Sequence, residues 1–159
     1  MIMDSLCVIN DAQTLASKSS GSNTDSTLCV DLTGGNAAKD GHGTSIADMI
    51  SGGVVYFNSQ ITTVLDCTGA CVLHSRLYAH STTASFKSGN LIADLTFPVD
   101  AAAGTKRSVA IGNYNFASTE RYLGCSYDPV GGTKIVTGYI ESWLSTSPPD
   151  TVPLGTQST

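Results

Sequence analysis

An all-β fold, a β-sandwich or jelly roll, is what this sequence predicts, on three observations. Some six to eight short runs rich in β-branched and aromatic residues are separated by turns containing Gly, Ser or Pro. Helical periodicity is confined to one short stretch near residue 46. Ser and Thr together make up about a quarter of the chain, and Gly occurs 16 times, as in turn-rich β modules. The length of 159 residues suits one domain. We place it at 1–144, including an N-terminal arm, with an extended Pro-rich tail over 145–159.

The elements follow in order. Residues 1–25 run through a polar, Ser-rich stretch, "DAQTLASKSSGSNTDS", and read as an arm or long loop. "TLCVDL" (27–32) reads as a short strand, Leu28 and Val30 alternating with Cys29 and Asp31. "TGGNAAKDGHG" holds too many Gly and Asn residues for regular structure. Ile46, Met49 and Ile50 then sit at i, i+3, i+4, which predicts one or two helical turns with Thr44 or Ser45 as N-cap. "VVYFNSQITTVLD" (54–66) reads as a strand with Val55, Phe57, Ile61, Thr63 and Leu65 on one face. "ACVLHSRLYAHS" (70–81) sets Cys71, Leu73, Ser75, Leu77 and Ala79 against Val72, His74, Arg76, Tyr78 and His80, and Thr68-Gly69 before it reads as a tight hairpin turn. "LIADLTFPV" and "KRSVAIGNY" supply two more strands, the first ended near Pro98. "RYLGCSY", "DPVGG" and "TKIVTGYIESWL" read as a closing hairpin. In its last strand Val136 and Ile140 lie on one face, Ile135, Tyr139 and Trp143 on the other. Apolar residues on a second face need a cover: another sheet, a helix or another subunit.

Charge excludes some functions. Asp and Glu outnumber Lys and Arg by 13 to 8, and charged residues are only 13% of the chain. The cations are scattered between Lys18 and Lys134 with no basic stripe, which argues against direct nucleic-acid binding. No apolar run reaches the roughly 18 residues of a membrane span. The N-terminal "MIMDSLCVINDAQ" has an acid and no basic region, unlike a signal peptide, so synthesis in the cytoplasm is expected. The five cysteines then read as reduced, mostly buried thiols.

"KDGHGTSIADM" resembles the segment carrying the catalytic histidine of subtilisin-like proteases. The enzyme would also need an Asp orienting His42 and a nucleophilic Ser opening a second helix. "DLTGG" is a faint Asp motif only 11 positions before His42, and no matching serine segment exists. His42 therefore reads as a loop histidine, and a hydrolase built on it ranks third among the functions considered. Cys67, Cys71, His74 and His80 have zinc-ligand chemistry, but strand alternation turns Cys71 away from both histidines. Cys67 and Cys71 could face each other across residues 68–70 and form a disulfide on leaving a reducing cell; two small buried thiols are the preferred reading. No phosphate-cradling loop and no regular Ca²⁺ loop is present. No catalytic residue, metal or cofactor is assigned.

Four segments, in order, carry a family resemblance: "MIMDSLCVINDAQTL", "LCVDLTGG", "GGVVYFNSQITTVLD" and "RYLGCSYDPVGGTKIVTGYI". Over most of residues 1–142 the chain resembles the capsid cement, or decoration, proteins of tailed bacteriophages. The loop over 39–52 and the Pro-rich tail depart from that pattern. The resemblance implies a jelly-roll or β-sandwich subunit, non-enzymatic, made in the host bacterial cytoplasm. It implies a dimer or trimer that binds the major capsid protein on the outer surface of the mature virion and bridges neighbouring capsomers. Contacts are then expected from the N-terminal arm (Met1, Ile2, Leu6), the glycine-rich loop and turn (His42, Ile46, Met49), the tail (Pro148, Pro149) and the aromatic anchors Tyr139 and Trp143. The alternative is a receptor- or carbohydrate-binding β-sandwich using loop Asp, Asn and Tyr residues.

Overall fold

Among the described residues, nine strands, one short α-helix and a single 3-10 turn at Phe86–Ser88 make up a two-layer sandwich. The computed structural model describes residues 8–16, 18, 21–33, 39, 43–52, 55–98, 100–131 and 134–146. The strands are β1 (Val8–Thr14), β2 (Thr24–Asp25), β3 (Val30–Asp31), β4 (Val55–Thr68), β5 (Val72–His80), β6 (Asn90–Pro98), β7 (Lys106–Ile111), β8 (Tyr122–Val130) and β9 (Lys134–Ser145). Sheet A has the order β1-β9-β4-β7, and sheet B the order β2-β8-β5-β6 with β3 also paired to β8. Every pairing is antiparallel.

Alternation builds the core. Leu73, Ser75, Leu77 and Ala79 of β5 face inward as the sequence predicts, joined by Ala93, Leu95 and Phe97 of β6 and by Leu123, Cys125 and Tyr127 of β8. Val55, Phe57, Ser59, Ile61 and Leu65 of β4 meet them from sheet A, with Ile140, Ser142 and Leu144 of β9. Polar groups inside this layer are paired, as burial demands. Ser59 Oγ lies 2.8 Å from both Ser75 Oγ and Ser142 Oγ, and Tyr127 donates its hydroxyl to Ser142 Oγ at 2.9 Å. Ser59 and Ser142 belong to sheet A, Ser75 and Tyr127 to sheet B. The chain of hydroxyls therefore ties one sheet to the other through the middle of the core.

Four expectations are corrected. Part of the predicted arm is structured: β1 pairs with β9, and Ile9 and Leu15 are buried in the core. Residues 1–7 and the tail beyond 146 lie outside the described residues. Both predicted hairpins prove to be crossings between sheets, since β4 and β5 lie in different sheets, as do β8 and β9. A glycine turn reverses the chain equally well within a sheet or across a sandwich, and Gly69 takes the left-handed φ of +93° that either geometry needs. Ile135 is buried and so does not share the outer face with Tyr139 and Trp143. Register shifts between Ile61 and Cys67 of β4 change the parity along the β4–β9 ladder, so Ile135 and Ile140 both reach the core while Thr63 is exposed. Strand β3 is shorter than the run predicted for it, and its upstream neighbour Leu28 is exposed while Val30 is buried.

The helix α1 (Ile46–Ser51) forms where the spacing predicts it. The Ser45 hydroxyl accepts from the Asp48 N–H at 3.1 Å, and Ile46 and Ile50 turn into the core. After β7 the loop over 112–121 is organised by buried Glu120. Its carboxylate accepts from Asn90 Nδ2 at 2.5 Å, the Tyr114 hydroxyl at 2.7 Å and the Ala117 N–H at 2.7 Å. Burial by itself would raise this carboxyl, but the hydrogen bonds from Asn90, Tyr114 and Ala117 outweigh it and hold the pKa below its ordinary 4.5. A lowered folded-state pKa contributes stability above the unfolded value and loses it as pH falls through the folded one. Thermal unfolding should therefore show stability declining below roughly pH 4.5, and Glu120→Gln should flatten that acid limb while lowering the plateau at neutral pH.

Candidate docking face

Two outer faces remain once the core is accounted for. On sheet B, residues 81–89 between β5 and β6 fold back as a strap. Phe86 is buried under it, with its ring against Gly124, and the Phe86 N–H donates to Asp25 Oδ2 at 3.1 Å. Tyr78, the cross-strand neighbour of Gly124, is buried at this end of the face. For this end of sheet B the cover is therefore internal. Further along, Arg76 bridges Asp94 at 2.9 Å and Asp128 at 3.1 Å, Lys87 of the strap reaches Asp128 at 2.9 Å, and His74 lies 2.9 Å from Asp94. These charges neutralise one another across β5, β6, β8 and the strap.

Sheet A presents a different surface. Antiparallel registers arrange its outward side chains in four rows. Tyr56 stands between Ala110 and Ser145; Asn58 between Ser108 and Trp143, with Val8 beyond; Gln60 between Lys106 and Glu141; and Tyr139 between Thr63 and Thr14. Asn58 is fully buried: it donates to Ser145 Oγ at 2.8 Å and accepts from Ser108 Oγ at 2.8 Å. An amide clamped on both sides fixes three strands relative to one another at the surface. Trp143 is only 9% exposed although it points away from the core, whereas Tyr139 is 41% exposed. Aromatic rings, amides and hydroxyls dominate, with Lys106 and Glu141 in one row. Such a face can bury area and exchange hydrogen bonds with a partner at small ordering cost, because its anchors are rigid.

Size limits what this face can do alone. Strands about 4.8 Å apart and rows about 6.7 Å apart give a footprint of roughly 500 Å². A standard stable interface takes about 800 Å² from each partner. The face fits a modest contact that gains strength by repetition.

The residues singled out from sequence separate into three groups. Tyr139 and Trp143 share the face, four positions apart on its second strand. Ile46 is buried in the core cluster and Met49 is half-buried against it, so both belong to the packing of α1. Met1, Ile2, Leu6, His42, Pro148 and Pro149 lie outside the described residues. Asn58, Gln60, Tyr56 and Ser108 were not singled out. Their signal was the polar phase of β4, Tyr56-x-Asn58-x-Gln60, opposite the apolar phase of Val55, Phe57 and Ile61. Among the described residues no three His, Cys, Asp or Glu side chains gather as metal ligands. No helix among them is long and apolar enough to cross a membrane. No family model matches this chain, and no curated protein is significantly similar to it.

Proposed function

We propose that this chain is a capsid cement, or decoration, subunit of the tailed-phage kind, a structural protein that acts by adhesion. In this reading the outer face of sheet A binds the major capsid protein on the outside of the mature shell, and a homo-oligomer, dimer or trimer, bridges neighbouring capsomers. The jelly-roll winding of that family, and contacts from the N-terminal arm and Pro-rich tail, belong to the same proposal. The observation that carries it is the exposed Tyr139 on an outer face of amides and hydroxyls that also holds Trp143 two rows away, too small for a tight solitary contact. The four-segment resemblance supports it. A pressurised shell offers many equivalent joints, and an oligomer engaging several at once converts weak contacts into firm attachment through effective concentration.

Tyr139→Ala tests the proposal without disturbing the core, because that side chain is 41% exposed. Co-sedimentation with mature capsids should show occupancy reduced about tenfold or more, which corresponds to about 1.4 kcal/mol or more per contact, with the melting temperature unchanged. Wild-type protein that fails to sediment with capsids would sink the proposal. The same exposed tyrosine, flanked by Thr14 and Thr63, favours one other reading, a virion receptor- or carbohydrate-binding module. A glycan-array signal displaced by soluble sugar and lost in Tyr139→Ala would establish that reading in place of the first.

A further inference from the structure

Against the expectation of two small buried thiols, the sulfurs of Cys67 and Cys71 are joined, four positions apart, across the three residues that carry the chain from sheet A to sheet B, where the tight turn brings them within reach. Three features mark the location. The β4–β9 ladder shifts register repeatedly on the approach, between Ile61 and Thr63, Thr63 and Asp66, and Asp66 and Cys67. Cooperative pairing is therefore weakest in the segment that the bond holds. The second crossing, between β8 and β9, lies against the first: a Cβ on Gly131 would sit 3.5 Å from the Ala70 carbonyl oxygen. Both crossings thus belong to one end of the sandwich. Cys71 is buried and Cys67 only partly so, which gives an entering reagent one sulfur to attack. Cys125, by contrast, is fully buried, and burial pushes its thiol up to about 12; burial and then Asp31 raise Cys29.

We propose that Cys67 and Cys71 form a redox-governed clip, open as two thiols in a reducing compartment and closed as a disulfide in an oxidising one, which sets the rigidity of this end of the sandwich. Closure needs an oxidant, and a small-molecule disulfide supplies it by exchange. The Cys67 thiolate attacks one sulfur of that disulfide, and a mixed disulfide forms as the first small thiol leaves. The Cys71 thiolate then attacks Cys67 Sγ and expels the second small thiol. Two protein thiols and one external disulfide become one protein disulfide and two external thiols, so electrons and protons balance. Closing so short a loop removes little chain entropy, and the effect is local order with the global fold retained. The Tyr139 row lies close by: Tyr139 pairs with Thr63 and Ile135 with Cys67 along the same two strands. The clip is a property of the isolated chain and holds whether or not that row meets a capsid.

The test uses the full chain equilibrated in buffers of reduced and oxidised glutathione. Alkylation after denaturation, read by mass, should trap all five cysteines at the reducing end and three at the oxidising end, with the loss of the pair assigned to Cys67 and Cys71 by peptide mapping. Backbone hydrogen exchange at Cys67, Thr68 and Val72 should run at least tenfold faster in the reduced protein, while Leu77 and Leu123 in the centre of sheet B stay unchanged. The double variant Cys67→Ser, Cys71→Ser should exchange like the reduced form and ignore the buffer. Five alkylated cysteines at every ratio would overturn the proposal. So would equal exchange at Cys67, Thr68 and Val72 in the oxidised and reduced wild-type protein, a comparison that stands even where the double variant fails to fold.

Discussion

Phe86→Ala should lower unfolding stability by about 3–5 kcal/mol, as expected for removing a fully buried aromatic side chain. The position looks unpromising for such an effect, because Phe86 lies in a strap outside sheet B and apart from the central core. Its importance comes from Gly124. A Cβ there would stand 2.3–2.5 Å from three atoms of the Phe86 ring, so the ring rests on bare backbone that only glycine offers. Gly124→Ala should therefore cost about 1–3 kcal/mol through overpacking. In the Phe86→Ala background the same Gly124→Ala change should cost far less, since the clash partner has gone. Urea unfolding of wild type, both single variants and the double variant measures this coupling. Simple additivity would show that the strap does not press on Gly124. His80 packs edge-on to Phe86 and bonds Ser88, so the strap is also held at its base.

Ser59→Ala is the second large effect, expected at about 1–3 kcal/mol. Ser59 contacts both the Ser75 and Ser142 hydroxyls, so its loss removes one of the two hydroxyl links between the sheets, leaving Tyr127–Ser142, and strips a buried partner from each serine. Tyr127→Phe should act at the other end of the chain, leaving Ser142 without the tyrosine donor. Burial raises the Tyr127 hydroxyl well above its ordinary value, so it stays a neutral donor across the working pH range. The Ser59→Ala, Tyr127→Phe double variant should lose less than the sum of the singles, because both act on Ser142. Equal losses that simply add would mean that the hydroxyls do not act as one chain.

Much of the fold was legible because strand parity survives wherever a ladder is regular. The alternation of the run beginning at Cys71 was read correctly, and so was the helical turn after residue 45, with Ser45 proving to be the cap of the two candidates; Ile46, expected at an interface, turns into the core instead. Pairing partners were not legible. "TG" and "DPVGG" announce reversals, but whether a reversal stays in its sheet depends on remote strands: β9 enters between β1 and β4. Parity failed at Ile135 and Thr63, where register shifts insert residues that no local pattern marks. The candidate face was half legible. Trp143 and Tyr139 stand out by residue type, whereas Asn58 reads as an ordinary polar strand residue until Ser108 and Ser145 are brought to either side of it.

The pairing of β1 with β9 has a consequence for synthesis. The first described strand waits for a neighbour about 130 residues downstream, and that neighbour also separates it from β4. A nascent chain halted before residue 134 has β4 and β7 with nothing to close their layer, and its leading segment finds no place to dock. Sheet A is therefore completed only after β9 has been made, through pairings distant in sequence that form slowly. Premature stops and truncations into β9 should yield insoluble material, which makes the last described strand the quality checkpoint of the fold.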